Sequence, residues 1–85
     1  MQHAAPSAKN LAAWCAEYCA LGMADVADRI RTAGGHATML DVGCGMGNGL
    51  RIFDRLGFDV TGIDMSAPEV ELARSLGFDV LCESA

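Results

Sequence analysis

The sequence predicts an α/β fold: a helix or helix pair, then β-α-β-α-β with a three-stranded parallel sheet. Three observations predict it. Apolar residues recur every three or four positions from Ser7 to Thr32, then give way after Gly34-Gly35 to short apolar runs that suit strands. The first run, Met39-Leu40-Asp41-Val42, leads directly into glycines at alternating positions. The pentapeptide Leu56-Gly57-Phe58-Asp59-Val60 recurs unchanged as Leu76-Gly77-Phe78-Asp79-Val80, each time where a helical spacing ends and a strand-like run begins. Two copies mark successive units of an alternating fold and fall short of the three repeats that a solenoid needs. The chain divides into a helical segment at 1–36 and a βαβαβ half-domain at 37–85, expected to form one compact unit.

Composition bounds the answer. Hydrophobic residues make up 52% of the 85 and charged residues 20%, a balance that argues against disorder. A chain of this length is at most one domain and buries only about 60–65% of its unfolded surface, so it has little core to spare. The net charge of −5 and the lack of a basic cluster provide no electrostatic footprint for nucleic acid. The opening residues lack the basic and apolar regions of a secretory leader, and no run reaches the ~18 apolar residues that span a bilayer. The chain reads as cytoplasmic, with no membrane partner.

In the N-terminal segment, Leu11, Trp14, Cys15, Tyr18, Cys19, Gly22, Met23, Val26, Ala27 and Ile30 form a stripe expected to be buried, with Lys9, Glu17, Asp25, Asp28 and Arg31 off it. Ser7 after Pro6 suits an N-cap, Gly34-Gly35 a stop, and Gly22 a break between two helices. Cys15 and Cys19 share a helix face but lack further ligands at zinc-like spacing, so they read as buried free thiols. His3 and His36 read as surface or loop residues, and no metal site is expected.

Leu40 and Val42 suit a short buried strand, and Gly43, Gly45 and Gly47 then let the backbone turn with no Cβ in the way of a ligand. Leu50, Ile52, Phe53 and Leu56 follow at helical spacing, closed by Gly57. The dinucleotide fingerprint Gly-x-Gly-x-x-Gly is not met, because its last position falls on Asn48 or Leu50. An acid two residues before the glycines, Asp41, suits a cationic ligand better than a pyrophosphate. The second strand, Val60-Thr61-Gly62-Ile63-Asp64, ends in another acid near the roughly 20-residue offset of a ribose-binding carboxylate. Ser66-Ala67-Pro68-Glu69 then reads as a reciprocal capping box opening a helix that runs to about Leu76.

These residues, from 39 to 85, resemble the first half of a class I, Rossmann-like, S-adenosylmethionine-dependent methyltransferase. The resemblance implies S-adenosylmethionine as cofactor, its methionine and ribose parts held by the loop of Asp41, Gly43, Cys44, Gly45 and Gly47, with Asp64 on both ribose hydroxyls. It implies further that Met65 packs against adenine, that Ser84 aligns with a position near the adenine amino group, and that Tyr18 on a preceding helix can reach the pocket. The acceptor it implies is a small molecule, and no catalytic base or nucleophile stands out.

Right-handed crossovers put both intervening helices on one sheet face when the three strands are laid down in order. The other face and the edge of the first strand are then bare, and a second copy or a missing C-terminal half is expected to cover what the N-terminal helices do not. Two other functions fit parts of the pattern: a non-catalytic binding module that oligomerises through that edge, and an NAD(P)-dependent oxidoreductase fragment.

Overall fold

A computed structural model describes residues 8–84. The elements run α1 (Ala8–Ala20), α2 (Met23–Thr32), β1 (Thr38–Val42), α3 (Asn48–Arg55), β2 (Asp59–Asp64), α4 (Ala67–Ser75) and β3 (Asp79–Cys82). The strands form one parallel sheet in the order β1-β2-β3, with Met39 opposite Val60, Asp41 opposite Gly62, and Gly62 opposite Val80. This is the partial Rossmann-like α/β fold predicted. The N-terminal segment is two helices, and the break falls at Gly22, whose φ of 79° is left-handed. The expected cap at Ser7, with Pro6, and His3 lie outside the described residues.

The repeated Leu-Gly-Phe has a specific backbone cause. At the end of α3, the Gly57 N–H donates to the Asp54 carbonyl and the Phe58 N–H to the Phe53 carbonyl; at the end of α4, Gly77 donates to Arg74 and Phe78 to Ala73. That pair of bonds is the Schellman motif, with glycine in the left-handed position and an apolar residue just beyond it. Both aromatics then turn inward, Phe58 edge-on to Phe53 with ring centroids 5.9 Å apart and Phe78 against the core under α4. Gly34 and Gly35 close α2 by the same two bonds, onto the Arg31 and Ile30 carbonyls.

The core lies in two clusters. Leu11, Ala27, Ala37, Ile52, Leu56 and Phe58 join the helical pair to α3, while Cys44, Leu50, Val70, Ala73 and Val80 join α3, α4 and the sheet. Arg31 adds a polar tie, donating to the Gly57 carbonyl while pairing with Asp28 at 2.9 Å. The N-terminal helices therefore stack beside α3 instead of crossing the bare side of the sheet. Leu40 and Val42, expected in a buried strand, are 60% and 59% exposed, and Leu81 is 50% exposed, because their side chains all point to the uncovered face.

The predicted stripe is wider than the contact it makes. Leu11, Cys15 and Tyr18 on α1 and Met23, Ala27 and Ile30 on α2 pack into the cluster shared with the eight-residue α3, whereas Trp14 and Val26 are each 42% exposed and Cys19 is exposed. The expectation of two buried thiols on α1 is thus corrected: Cys15 is half-buried, Cys19 and Cys82 are exposed, and Cys44 is buried; all four are free.

Candidate functional site

Both acids sit at the carboxyl ends of adjacent strands, where a parallel sheet opens a crevice. The glycine loop between β1 and α3 is stitched onto β2: the N–H groups of Gly43 and Cys44 both donate to the Ile63 carbonyl, at 2.8 and 3.2 Å. Gly43, Gly45 and Gly47 all have positive φ, which explains the three glycines. Gly49 is needed for another reason, since a Cβ there would lie 2.7 Å from Asp41 Oδ2.

Asp64 anchors the loop. Its Oδ2 accepts the Gly45 N–H at 2.9 Å and its Oδ1 accepts the Ser66 N–H at 2.8 Å. These two bonds, led by Ser66, hold its carboxyl below the usual carboxylate range. A carboxylate has about four lone-pair sites, so acceptor capacity is left for a ligand donor. Asp41 shifts the other way, raised first by burial and then by the charge of Asp64. Burial also pushes the Cys44 thiol up, with Asp41 adding to it, so Cys44 stays a protonated packing residue beneath the loop.

The capping box expected at Ser66 and Glu69 does not form. Ser66 is the N-cap of α4 but makes no side-chain cap bond. The Ser66 N–H that Glu69 would have accepted is already given to Asp64. Glu69 instead turns toward the loop, its Oε2 3.3 Å from the position a Cβ on Gly45 would take.

Two adjoining cavities result. One of about 400 Å³ is polar, walled by Asp41, Gly43, Cys44, Gly45, Asp64 and Glu69 among others. The other, of about 300 Å³, is mostly apolar and walled by Val42, Gly43, Ile63, Asp64, Met65 and Glu83. Gly43 and Asp64 belong to both. Of the predicted residues, Asp41, Gly43, Cys44, Gly45, Asp64 and Met65 are thus brought together, with Met65 74% exposed at the mouth. Gly47 lies behind them as the N-cap of α3, facing Phe78 and Ala73. Ser84 is exposed and lines neither cavity; Glu83, whose N–H donates to the Asp64 carbonyl, lines the apolar one. Tyr18 reaches a separate cleft that meets the polar cavity at Gly49. Glu69 and the role of Gly49 were missed: an acid in a first helical turn reads as a cap, and a glycine in a loop reads as a turn.

Fold and site geometry together define a parallel-sheet α/β unit with a glycine loop and two acids at the carboxyl ends of adjacent strands. A family model described as a methyltransferase domain matches residues 40–85, more than half of the chain, and the chain belongs to that family of class I S-adenosylmethionine-dependent methyltransferases. No curated protein matches the chain significantly. Members of the family generally bind S-adenosylmethionine. Among the described residues, no helix is long and apolar enough to cross a membrane and no group of side chains is arranged to hold a metal ion.

Proposed function

We propose that this chain is the S-adenosylmethionine-binding part of a cytoplasmic methyltransferase acting on a small-molecule acceptor. The observation that carries the reading is Asp64, whose carboxylate stands at the junction of an apolar and a polar cavity with lone pairs to spare. An adenosine with a charged tail has that same sequence of surfaces: a flat base for Met65 and Ile63, ribose hydroxyls for Asp64, and an ammonium-bearing end for the loop of Asp41, Gly43 and Gly45. Glu83, which lines the apolar cavity, joins Ser84 as a candidate beside the base. What the cofactor would supply when bound is a sulfonium methyl for transfer to a nucleophilic acceptor. The chain's own part is to bind and orient, the largest lever available when two reactants must be aligned.

Calorimetric titration with S-adenosylhomocysteine, with NADH as control, tests this. Binding of the first alone is expected, and binding of NADH alone would replace the reading with the oxidoreductase one. The exposed strip of Leu40 and Leu81 favours a second reading, a module that assembles with a second copy; a specific dimer without cofactor affinity would select it.

A further inference from the structure

The third cavity, of about 250 Å³, lies between α1 and the first half of α3, walled by Trp14, Glu17, Tyr18, Gly49 and Ile52. Its composition is not that of a packing gap. Trp14 is 42% exposed, high for a residue type that is mostly buried, and Tyr18 is held in place by Phe53, ring centroids 4.9 Å apart at 56°. Two aromatic residues and one carboxylate therefore share a preset concavity, and among the described residues no arginine or lysine is part of its walls.

The chemistry of a matching ligand follows from those groups. An anion would meet Glu17 directly, and beyond Gly49 it would meet Asp41, Asp64 and Glu69 in the adjoining polar cavity. A neutral ring could use the aromatic residues but not the carboxylate. A small cation uses both, the aromatic rings of Trp14 and Tyr18 that line the cleft and the charge of Glu17, a pairing of the kind that recognises alkylammonium groups. Gly49 lines both cavities, so a ligand seated here abuts the site assigned to the cofactor.

We propose that this cleft binds the cationic head, an alkylammonium or related small cation, of the methyl acceptor. The acceptor role rests on the cofactor reading above; the cation preference rests on the cleft alone. Trp14 is the single tryptophan of the chain, so its fluorescence reports on the cleft directly.

The test titrates the 85-residue chain with choline and with 3,3-dimethyl-1-butanol, its uncharged isostere, following Trp14 emission, and separately with S-adenosylhomocysteine by calorimetry. A saturable change with choline, at least tenfold weaker with the isostere, is expected. Glu17→Gln should weaken choline about three- to tenfold and leave S-adenosylhomocysteine affinity unchanged, because Glu17 lines only the cleft. Equal response to both probes, or none to choline in a sample that binds S-adenosylhomocysteine, would overturn the proposal while the cofactor reading stands. Choline binding without S-adenosylhomocysteine binding would keep a cation site and overturn its role as an acceptor site.

Discussion

Asp64 does two things at once, and its substitution separates them. Asparagine in its place has one strong acceptor where the carboxylate has two, so either the Gly45 or the Ser66 N–H loses its partner, and the charge that the proposed reading directs to ribose is gone. Asp64→Asn should therefore weaken S-adenosylhomocysteine binding about ten- to a hundredfold, the range for losing charge-assisted hydrogen bonds, as read by calorimetry. Unchanged affinity would remove Asp64 from the site. The two acids also respond oppositely to pH. The folded Asp64 carboxyl lies below its unfolded value, so what it adds to stability is complete above the unfolded value and is lost as pH falls through the folded one. The folded Asp41 carboxyl is raised, so its ionisation costs stability as pH rises between the unfolded and folded values, and acidification relieves that cost. A raised Asp41 also takes up its proton sooner on acidification than an ordinary carboxylate near 3.9 does. Affinity for the ammonium-bearing end of S-adenosylhomocysteine should thus fall early on the acid side, and Asp41→Asn should flatten that part of the profile. Both acids were legible in the sequence because Asp64 ends an apolar run and Asp41 stands one residue before the end of another, each just ahead of a turn. The direction of Glu69 was not, since the Ser66 N–H has two possible acceptors within a few residues and only the folded turn at Asp64 chooses between them.

The repeated Leu-Gly-Phe shows how far an element can be read from its end signals. Glycine after a helical run followed by an apolar residue is the Schellman signature, and both copies close their helices with the same two bonds. Their surroundings differ. Gly77, at φ 93°, has nothing within 4 Å of where a Cβ would go, whereas a Cβ on Gly57 would lie 2.9 Å from the Arg31 guanidinium. Gly77→Ala should cost about 1–2 kcal/mol, the left-handed penalty alone. Gly57→Ala should cost more, because Arg31 must also leave the Gly57 carbonyl and loosen the tie between α2 and the end of α3. Chemical denaturation of the two variants measures the difference, and equal losses would mean that Arg31 contributes nothing. Gly62 illustrates what end signals cannot convey. It sits inside β2, where a Cβ would come within 2.5 Å of Cys44 Sγ and 3.0 Å of Leu50 Cδ1, so its need for glycine arises from a loop and a helix that pack onto the strand from elsewhere. Gly62→Ala should cost about 1–3 kcal/mol through overpacking. The narrow contact of α1 has the same origin: the stripe is periodic along its whole length, but how much of it is buried depends on the short helix it meets.

At the scale of the whole molecule, the bare sheet face follows from topology. Two right-handed crossovers laid down in strand order leave Leu40, Val42 and Leu81 on the side away from α3 and α4. The sequence carried that much, because it depends only on strand order and direction. Where the helical pair would lie was not legible, since an apolar stripe says that a face is buried and not against what. Its place beside α3 leaves the sheet half covered, an unusual state for parallel strands. The free edges differ as well. On β3 the Val80 carbonyl is taken by the Arg74 side chain, at 3.0 and 2.8 Å, whereas among the described residues β1 pairs only with β2 and keeps its outer side for another strand. Exposed apolar surface beside an open strand edge drives association. The chain on its own should show a mass that rises with concentration in light scattering and should bind an apolar dye. Replacing both Leu40 and Leu81 with threonine introduces the β-branched side chain that strands favour while removing apolar area. Leu40 and Leu81 line neither of the cavities that meet at Asp64, so that double variant should lose the concentration dependence and most of the dye signal at unchanged S-adenosylhomocysteine affinity. If association persists undiminished, the contact runs along the backbone of β1, and a charge placed at Thr38, exposed at the start of that strand, is the change that should abolish it.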